Sequence, residues 1–404
     1  MLSREENERL TRVGPGTPMG NLLRRYWHPV AASAELENEP VLPVRILGED
    51  LALYRSERGE LGLVARRCAH RGASLAYGIP EAQGLRCPYH GWLYDKTGRC
   101  LEQPAESETS TFRQRIRIAA YPVQEMGGLV WAYLGPEPAP LLPRYDLFVR
   151  EDLERDIGIT RALPCNWLQI MENSVDPVHL EYLHGKFFNY VLKRQGKPPA
   201  AVPRHHVRIA FDVFEYGIIK RRLLEGQSED EDDWRIGHPV LFPNILAVGD
   251  AGYPSFQIRV PVDDTHTQHY WYNARPRAAG VPPQKTIPFW ENPYKHEDGR
   301  LIVETINGDD MMVWLVQGEI ADRTAERLGA SDQGVILLRK LLDEQLEKVE
   351  RGEDPLAVIR DGEKNRIIEV PRERKAHYVV TGEFLATKDG QLISTGKATE
   401  IPSG

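Results

Sequence analysis

Cys68-Ala69-His70 and, sixteen residues on, Cys87-Pro88-Tyr89-His90 form the stretch around which this 404-residue chain is organised. The pattern is Cys-x-His followed by Cys-x-x-His. A structural zinc finger pairs like with like, Cys-x₂₋₄-Cys in one arm and His-x₃₋₅-His in the other. Here each arm carries one thiolate and one imidazole. Two such arms can bring two thiolates to one metal and two imidazoles to a second. A [2Fe–2S] cluster is held in this way when two His replace two Cys on one iron. Neutral imidazoles put less negative charge on the cluster than thiolates do, so it is reduced more easily than a four-Cys cluster. Arg71-Gly72 follows the first arm and Gly91-Trp92 the second, while Pro88 fixes the second loop. A small residue lets backbone come close to a bulky cluster.

Composition narrows the remaining choices. The length predicts two or three domains at about 150 residues each. No run of about 18 apolar residues is present, so no membrane span is expected. The acid-rich start, Met1 to Arg9, lacks the apolar core of a secretory signal, which predicts a cytoplasmic chain. The net charge of −8 is spread without long blocks and argues against nucleic acid as a partner. Of four Cys, two are claimed by the cluster, leaving Cys100 and Cys165 and no disulfide framework. Gly14 to Gly20 is Gly-rich, but no strand precedes it and Pro15 and Pro18 interrupt it, so it is no dinucleotide fingerprint. With no other nucleotide motif, the chain is expected to bind neither nicotinamide nor flavin itself.

Periodicity divides the chain into three. Residues 1–25 read as an N-terminal helical segment. Residues 26–138 are strand-like, with short runs at Val41–Leu47, Leu51–Arg55, Leu61–Ala65 and Leu129–Pro136 broken by turn residues. This predicts a small antiparallel domain carrying the cluster on two loops. Pro136 to Pro143 marks a linker. Residues 150–404 read as a second, α+β domain on an antiparallel sheet, with strand alternation over 206–224 and 240–273. Val335 to Glu350 is an amphipathic helix with Leu338, Leu341, Leu342, Leu346 and Val349 on one side. The tail beyond Lys388 is rich in Gly, Ser and Thr and is expected to be loosely held.

A second constellation lies at Glu172-Asn173-Ser174-Val175-Asp176-Pro177-Val178-His179-Leu180-Glu181-Tyr182-Leu183-His184. On an ideal helix, residues five apart are turned from each other by about 140°. A distorted or ending helix can still aim His179 and His184 at one metal. Beside a cluster that relays electrons, two His plus one carboxylate with open positions is the facial triad of non-haem Fe(II) oxygenases. Asp176 is one candidate for the carboxylate. Asp309, Asp310, Glu319, Asp322 and Asp332 are others, and the residue types alone do not choose among them.

On these motifs the sequence resembles the α subunits of Rieske non-haem iron oxygenases over nearly its whole length. It looks closest to the phthalate dioxygenase-like branch that includes aryl O-demethylases. Cys68, His70, Cys87 and His90 match the cluster ligands. Asn173, Asp176, His179 and His184 match the family's Asn-x-x-Asp-x-x-His-x₄-His motif, whose two His bind iron. The resemblance gives the third ligand place to Asp332, in Ser331-Asp332-x-Gly334-Val335. It also implies the fold: a small all-β Rieske [2Fe–2S] domain plus a helix-grip catalytic domain against which the N-terminal segment packs. It further implies a ring-shaped homotrimer, single or stacked, in which the cluster of one subunit serves the iron of the next. Asp176 would then link His70 or His90 of one chain to His179 or His184 of another, with a helix N-cap ahead of Pro177 as the competing role.

The implied activity is that of a terminal oxygenase in a multicomponent system. It would use O₂ and electrons from NAD(P)H, delivered by a separate flavin/iron–sulfur reductase, to hydroxylate an aromatic substrate. The chemistry would be dioxygenation of an aromatic carboxylate or hydroxylation of an aryl ether. The alternatives are an O- or N-demethylase acting on a non-carboxylate substrate, and an electron carrier with no oxygenase chemistry. Gln169, Ile170, Val175, Leu183, Phe187, Phe188 and Trp314 are candidate pocket residues. A bound carboxylate needs a cation beside it, and Arg204, Arg208, Arg221 and Arg259 lie on strand-like segments.

Overall fold

Val41–Ile46, Glu49–Arg55 and Leu61–Ala65 pair as an antiparallel meander, joined at one edge by Ala120–Tyr121. A second antiparallel sheet follows from Ile79–Glu81, Gly84–Arg86, Leu93–Tyr94 and Cys100–Glu102. The two share a small core in which Tyr54, Val64, Leu85 and Tyr94 are almost wholly buried. The computed structural model describes residues 1–200, 204–249 and 254–373, with the backbone of Phe384–Ala386 and Leu392–Ser394. The rest of the Gly/Ser/Thr-rich tail lies outside the described residues.

A third sheet joins the two halves of the chain. Trp27–Ala32 and Leu129–Tyr133 pair antiparallel, with Val123–Met126 alongside. Both of the first two strands are buried at every position, as expected of strands covered on both faces. Trp131 packs edge-on against Phe148 at 5.1 Å, and the Tyr272 hydroxyl donates to Gly127 O at 2.8 Å. This sheet therefore belongs to the large core of the molecule rather than to the small core around the cluster.

The larger half is built on an eight-stranded sheet. Its order is His206–Phe214, Gly217–Leu224, His238–Leu241, Ile245–Val248, Ser255–Pro261, Thr267–Pro276, Leu153–Leu163 and Phe289–Glu291. Every pairing is antiparallel except the last. Helix Trp167–Ser174 lies against strand Ser255–Pro261, and helix Gln333–Glu350 against strand His206–Phe214. The long helix buries Leu338, Leu341, Leu342 and Leu346, the apolar stripe read from its spacing. The fold is α+β, an all-β unit beside a helix-covered antiparallel sheet.

The N-terminal helices fasten the helical layer. Ser3 and Glu6 form a capping box at the start of Arg4–Thr11. Leu2 N donates to Arg323 O at 3.1 Å, and Asn7 Nδ2 to Ala321 O at 3.1 Å. The buried Arg323 and Arg339 both grip Glu172, at 2.7 Å in each case, and Arg339 also pairs with Glu326. Glu172 stands one helical turn before Asp176, so this network fixes the stretch that leads into the His pair.

One glycine matters to that stretch. Gly334 opens the long helix with its Cα pressed on the site segment. A Cβ there would sit 2.1 Å from Val175 O and 2.5 Å from the Phe211 ring. In an ordinary helix, Gly→Ala stabilises by about 0.5–1 kcal/mol. Here the sign reverses: Gly334→Ala is expected to lower the melting temperature and to deplete mononuclear iron while sparing the cluster's visible absorbance. Thermal melts and metal analysis of the two proteins check this.

Candidate metal centres

The cluster loops are near-copies of each other. In the first, Cys68 N donates to Ala73 O and Gly72 N to Cys68 O, both at 2.9 Å. In the second, Cys87 N donates to Trp92 O at 2.8 Å and Gly91 N to Cys87 O at 3.0 Å. Gly72 and Gly91 close the two turns at φ +72° and +74°, a region where a side chain is strained. Each loop thus buries its Cys and lifts its His toward the surface. Cys68 and Cys87 are 3 % and 2 % exposed, whereas His70 is exposed and His90 half-buried. The imidazole rings converge at 4.5 Å between centroids, and Trp92 stacks on His70 at 4.7 Å and 8°. Arg86 braces the second loop, donating to Gly91 O at 2.6 Å while pairing with Glu81 and Glu102.

These donors fit a mixed-ligand [2Fe–2S] cluster. Burial pushes the Cys87 thiol up, so bound iron would have to displace its proton. Tyr94 Oη lies 3.3 Å from Cys68 Sγ and accepts from Ala69 N at 3.1 Å. Its proton is left to donate to the sulfur, an arrangement that favours the reduced cluster.

The second centre is built on a change of helical pitch. Helix Trp167–Ser174 ends, Pro177 separates it from His179–Glu181, and Tyr182–Phe187 continues as π-helix. The wider π turn, with its i→i+5 bonds, brings the five-residue spacing toward one face. His179 and His184 stand with ring centroids 5.2 Å apart. Facing them is helix Ile306–Val316, capped by Thr305, with Asp309 and Asp310 near its start. His179 Nε2 is 3.7 Å and His184 Nε2 3.3 Å from Asp310 Oδ1. The ligand atoms of these three side chains all lie within 4.8 Å of one another, close enough to hold one metal ion.

The structure therefore gives the carboxylate place to Asp310, and the expectation for Asp332 is corrected. Asp332 lies in the short turn Ala330–Asp332 ahead of the long helix, where its Oδ2 accepts from Gly329 N at 2.6 Å. Its carboxylate is used locally to tighten a turn and does not join the two His.

The electrostatics of the triad fit a cation. Asp310 Oδ1, both carboxylate oxygens of Asp309 and His184 Nδ1 are buried with no hydrogen-bond partner, a rare condition. Burial pushes His179 down to about 4 and outweighs the nearby Asp310, leaving a neutral imidazole suited to ligation. Burial also lowers His184, but Asp310 and Asp309 override it and raise this group to about 9. Burial pushes Asp309 up to about 6. A positive charge is held at His184 by the two acids, and a divalent ion would satisfy the same field. One hydrogen bond and one longer ionic contact set the ring orientations. His179 Nδ1 is 2.5 Å from Asp176 O, and His184 Nδ1 faces Asp309 Oδ2 at 3.7 Å. Each ring is thereby left with Nε2 toward Asp310.

The other predicted residues have varied positions. Asp176 Oδ1 accepts from Val178 N at 2.9 Å, and Oδ2 is 3.9 Å from His179 Nδ1. The side chain is 32 % exposed. Asn173 O accepts from Asp176 N at 3.1 Å. Gln169 does not point into a pocket: Nε2 donates to Trp314 O and Gly318 O, both at 2.8 Å, and Oε1 accepts from Ala321 N at 3.0 Å. It pins the end of the helix that carries Asp310. Val175 and Leu183 are buried, Val175 in the main core. Ile170 and Trp314 pack with Met311, Trp271, Leu163 and Cys165 in a small apolar cluster. Phe187 is half-buried against Tyr190 at 6.5 Å, and Phe188 is buried. Arg208 pairs with Glu229 and Arg221 with Asp212, and Arg204 is exposed, whereas Arg259 is wholly buried. Asp309 was grouped with the other acids in sequence. Its signal was an acid pair opening an otherwise apolar helix, Asp309-Asp310-Met311-Met312-Val313-Trp314.

Comparison with known proteins gives the family. Residues 26–121 match the Rieske [2Fe-2S] domain family, and residues 283–368 match the LigXa C-terminal domain-like family. The chain is 44% identical over 376 residues to the 5,5'-dehydrodivanillate O-demethylase oxygenase subunit of Sphingobium sp., covering 92% of this chain and 87% of that one. It is 31% identical to the phthalate 4,5-dioxygenase oxygenase subunit of Pseudomonas putida, covering 90% of each. Among solved structures, Pseudomonas putida CBB5 NdmA bound to caffeine (a QL mutant) superposes at a TM-score of 0.61 with 22% identity, covering 82% of this chain and 93% of that one. The chain belongs to the Rieske non-haem iron oxygenases. It is an oxygenase subunit that carries a Rieske [2Fe–2S] cluster and mononuclear iron and works with separate partner components. No helix among the described residues is long and apolar enough to cross a membrane.

Two outcomes test these assignments. Asp310→Ala is expected to lose mononuclear iron and keep the cluster absorbance, while Asp332→Ala keeps both; metal analysis with visible spectra decides. Tyr94→Phe removes a hydrogen bond to sulfur worth roughly 1 kcal/mol. It is expected to lower the cluster potential by about 40 mV, read by redox titration.

Proposed function

We propose that this subunit hydroxylates an aromatic substrate with O₂, and that hydroxylation of an aryl ether is its principal chemistry. The observation that carries the reading is the triad of His179, His184 and Asp310, whose Asp310 Oδ1 has no hydrogen-bond partner among the described residues. When bound, the cluster supplies single electrons and the mononuclear iron activates oxygen. The relative with 44% identity is named for O-demethylation, which supports the aryl-ether reading. A second reading, ring dioxygenation, is favoured by the relatives named phthalate 4,5-dioxygenase and phenoxybenzoate dioxygenase.

The chain's own groups divide the work. His179, His184 and Asp310 would hold the metal. Ile170, Met311, Trp271 and Trp314 supply a dry apolar wall beside it. Insertion of one oxygen atom into a substrate C–H bond consumes O₂, two electrons and two protons and releases water. At an aryl methyl ether, the hydroxylated methyl group leaves as formaldehyde and frees a phenol.

The electrons enter at the other end of the chain. His70 and His90 would hold the cluster edge toward the surface, with exposed Tyr89 against His90 and exposed Phe112 against Trp92. This rim suits docking of a flavin/iron–sulfur reductase fed by NAD(P)H and, in a homotrimer, of the neighbouring subunit. Such a reductase draws on the nicotinamide pool, which fits a cytoplasmic setting. Asp176 is exposed enough to reach a neighbour's His70 or His90 while lying beside His179. In that role its carboxylate joins the two centres across the subunit boundary.

Asp176→Asn preserves the cap on Val178 but removes the charge. Both metals are expected to stay bound while single-turnover oxidation of the cluster slows by orders of magnitude; a near-normal rate refutes the bridge. The reaction itself is read by product mass under ¹⁸O₂ with a surrogate reductase and a panel of aryl ethers and aromatic acids. Loss of a methyl group, or one labelled oxygen, is expected; two labelled oxygens in one product would establish the dioxygenase reading.

A further inference from the structure

Two departures from regular structure meet at one carboxylate. Helix His179–Glu181 passes into the π turn Tyr182–Phe187, a form that is rare and occurs mostly as a single turn. Strand His206–Phe214 begins with a break in register. His206 opposes Leu224 and Arg208 opposes Leu223, so Val207 is the extra residue of a β-bulge. The side chain of Glu181 joins the two. Its Oε1 accepts from His206 N at 2.8 Å and lies 2.7 Å from His206 Nδ1, and its Oε2 lies 3.0 Å from His205 Nδ1. The Glu181 and His206 side chains are 13 % and 3 % exposed.

The far end of the turn is tied in the same way. Asn189 Nδ2 donates to Gly185 O at 3.0 Å and to Ala200 O at 3.2 Å, and Asn189 Oδ1 accepts from Ala200 N at 2.7 Å. Both ties run from the π turn to the chain ahead of strand His206–Phe214. Successive residues of an α-helix turn by about 100°, so Glu181 is directed about 200° from His179. It therefore holds the side of the helix that faces away from the imidazole. The imidazole itself is fixed by its Nδ1, 2.5 Å from Asp176 O. Taking a carboxylate this far out of water is costly, and the best-attested use of such a group is to fix a register.

The register at stake is that of the two metal-binding imidazoles. In an α-helix, residues i and i+4 share a face, so Leu183 would lie over His179 and His184 would be turned about 140° away. Only a widened turn brings His184 back beside His179. We infer that Glu181 is a positioning residue of the metal site: its grip on His206 and His205 holds the wide turn that aims His179 and His184 at one ion. Asn189 secures the other end of the same turn. This rests on the triad as the metal site and names what sets the triad's geometry.

The test uses the full chain with its cluster intact and oxidised and its mononuclear iron replaced by Co²⁺, whose EPR spectrum reports the ligands around it. Glu181→Ala is expected to weaken Co²⁺ binding about ten-fold or more. At saturating Co²⁺ its EPR spectrum should differ from that of the wild type, while the visible absorbance of the cluster stays the same. Glu181→Gln, which keeps an acceptor for His206 N, should lie closer to the wild type than to Glu181→Ala in both readouts. If Glu181→Ala does not fold, His206→Leu carries the test, with a smaller change in the same direction. The proposal is overturned if affinity falls less than about two-fold, well short of the loss of a ligand's support. It is also overturned if affinity falls but the saturated spectrum is that of the wild type, the mark of a role in stability alone. Asp310→Ala measured alongside separates the two readings. A changed spectrum in Glu181→Ala with none in Asp310→Ala would remove Asp310 from the site and leave the role of Glu181 standing. The reverse would remove the role of Glu181 and leave the triad.

Discussion

Two carboxylates buried side by side without hydrogen bonds are the constraint on which this molecule turns. Asp309 and Asp310 sit near the start of an apolar helix, and among the described residues their ion-pair partners are His184 and His179. An uncompensated buried charge is strongly destabilising, so the chain must either protonate these groups or supply a cation. The surrounding fold is arranged so that a cation fits. Gln169 pins the end of the acid-bearing helix, the Glu172–Arg323–Arg339 network fixes the segment leading to the His pair, and Gly334 lets the long helix press against it.

The two centres are opposite in their exposure, and their tasks explain why. The cluster loops bury their Cys and present their His, which places the redox-active edge where another protein can reach it. The triad is largely buried, its three side chains between 10 % and 17 % exposed, which would limit the access of water to a bound iron. Asp176 lies between these regimes, capping Val178 and approaching His179 while still open to solvent. The three-stranded sheet 27–32, 123–126 and 129–133 ties the cluster-bearing half to the catalytic core, so the position of one centre depends on the packing of the other half.

Much of this was legible in the residues. The Cys-x-His and Cys-x-x-His arms announce themselves because ligand type and spacing are local. The stripe of Leu338, Leu341, Leu342 and Leu346 follows from helical period alone. The His pair was readable as residues but not as geometry: five-residue spacing is wrong for an α-helix, and the π turn that repairs it depends on tertiary packing. The third ligand was left open by the residues and given to Asp332 by the resemblance alone. Asp332 before a helix and Asp310 within one are equally acidic in sequence, and only the path of the chain shows which faces the imidazoles. Gln169 was named among the candidate pocket residues. Its three hydrogen bonds to Trp314, Gly318 and Ala321 are long-range contacts that no local pattern encodes. Arg259 stood among four candidate arginines until burial set it apart.

Diffraction from crystals of the iron-loaded protein at the iron absorption edge tests the central assignment most directly. Two anomalous peaks are predicted in each chain, one among Cys68, His70, Cys87 and His90 and one bonded to His179, His184 and Asp310. An iron atom liganded by Asp332, or a triad that stays empty in iron-replete protein, would contradict the account.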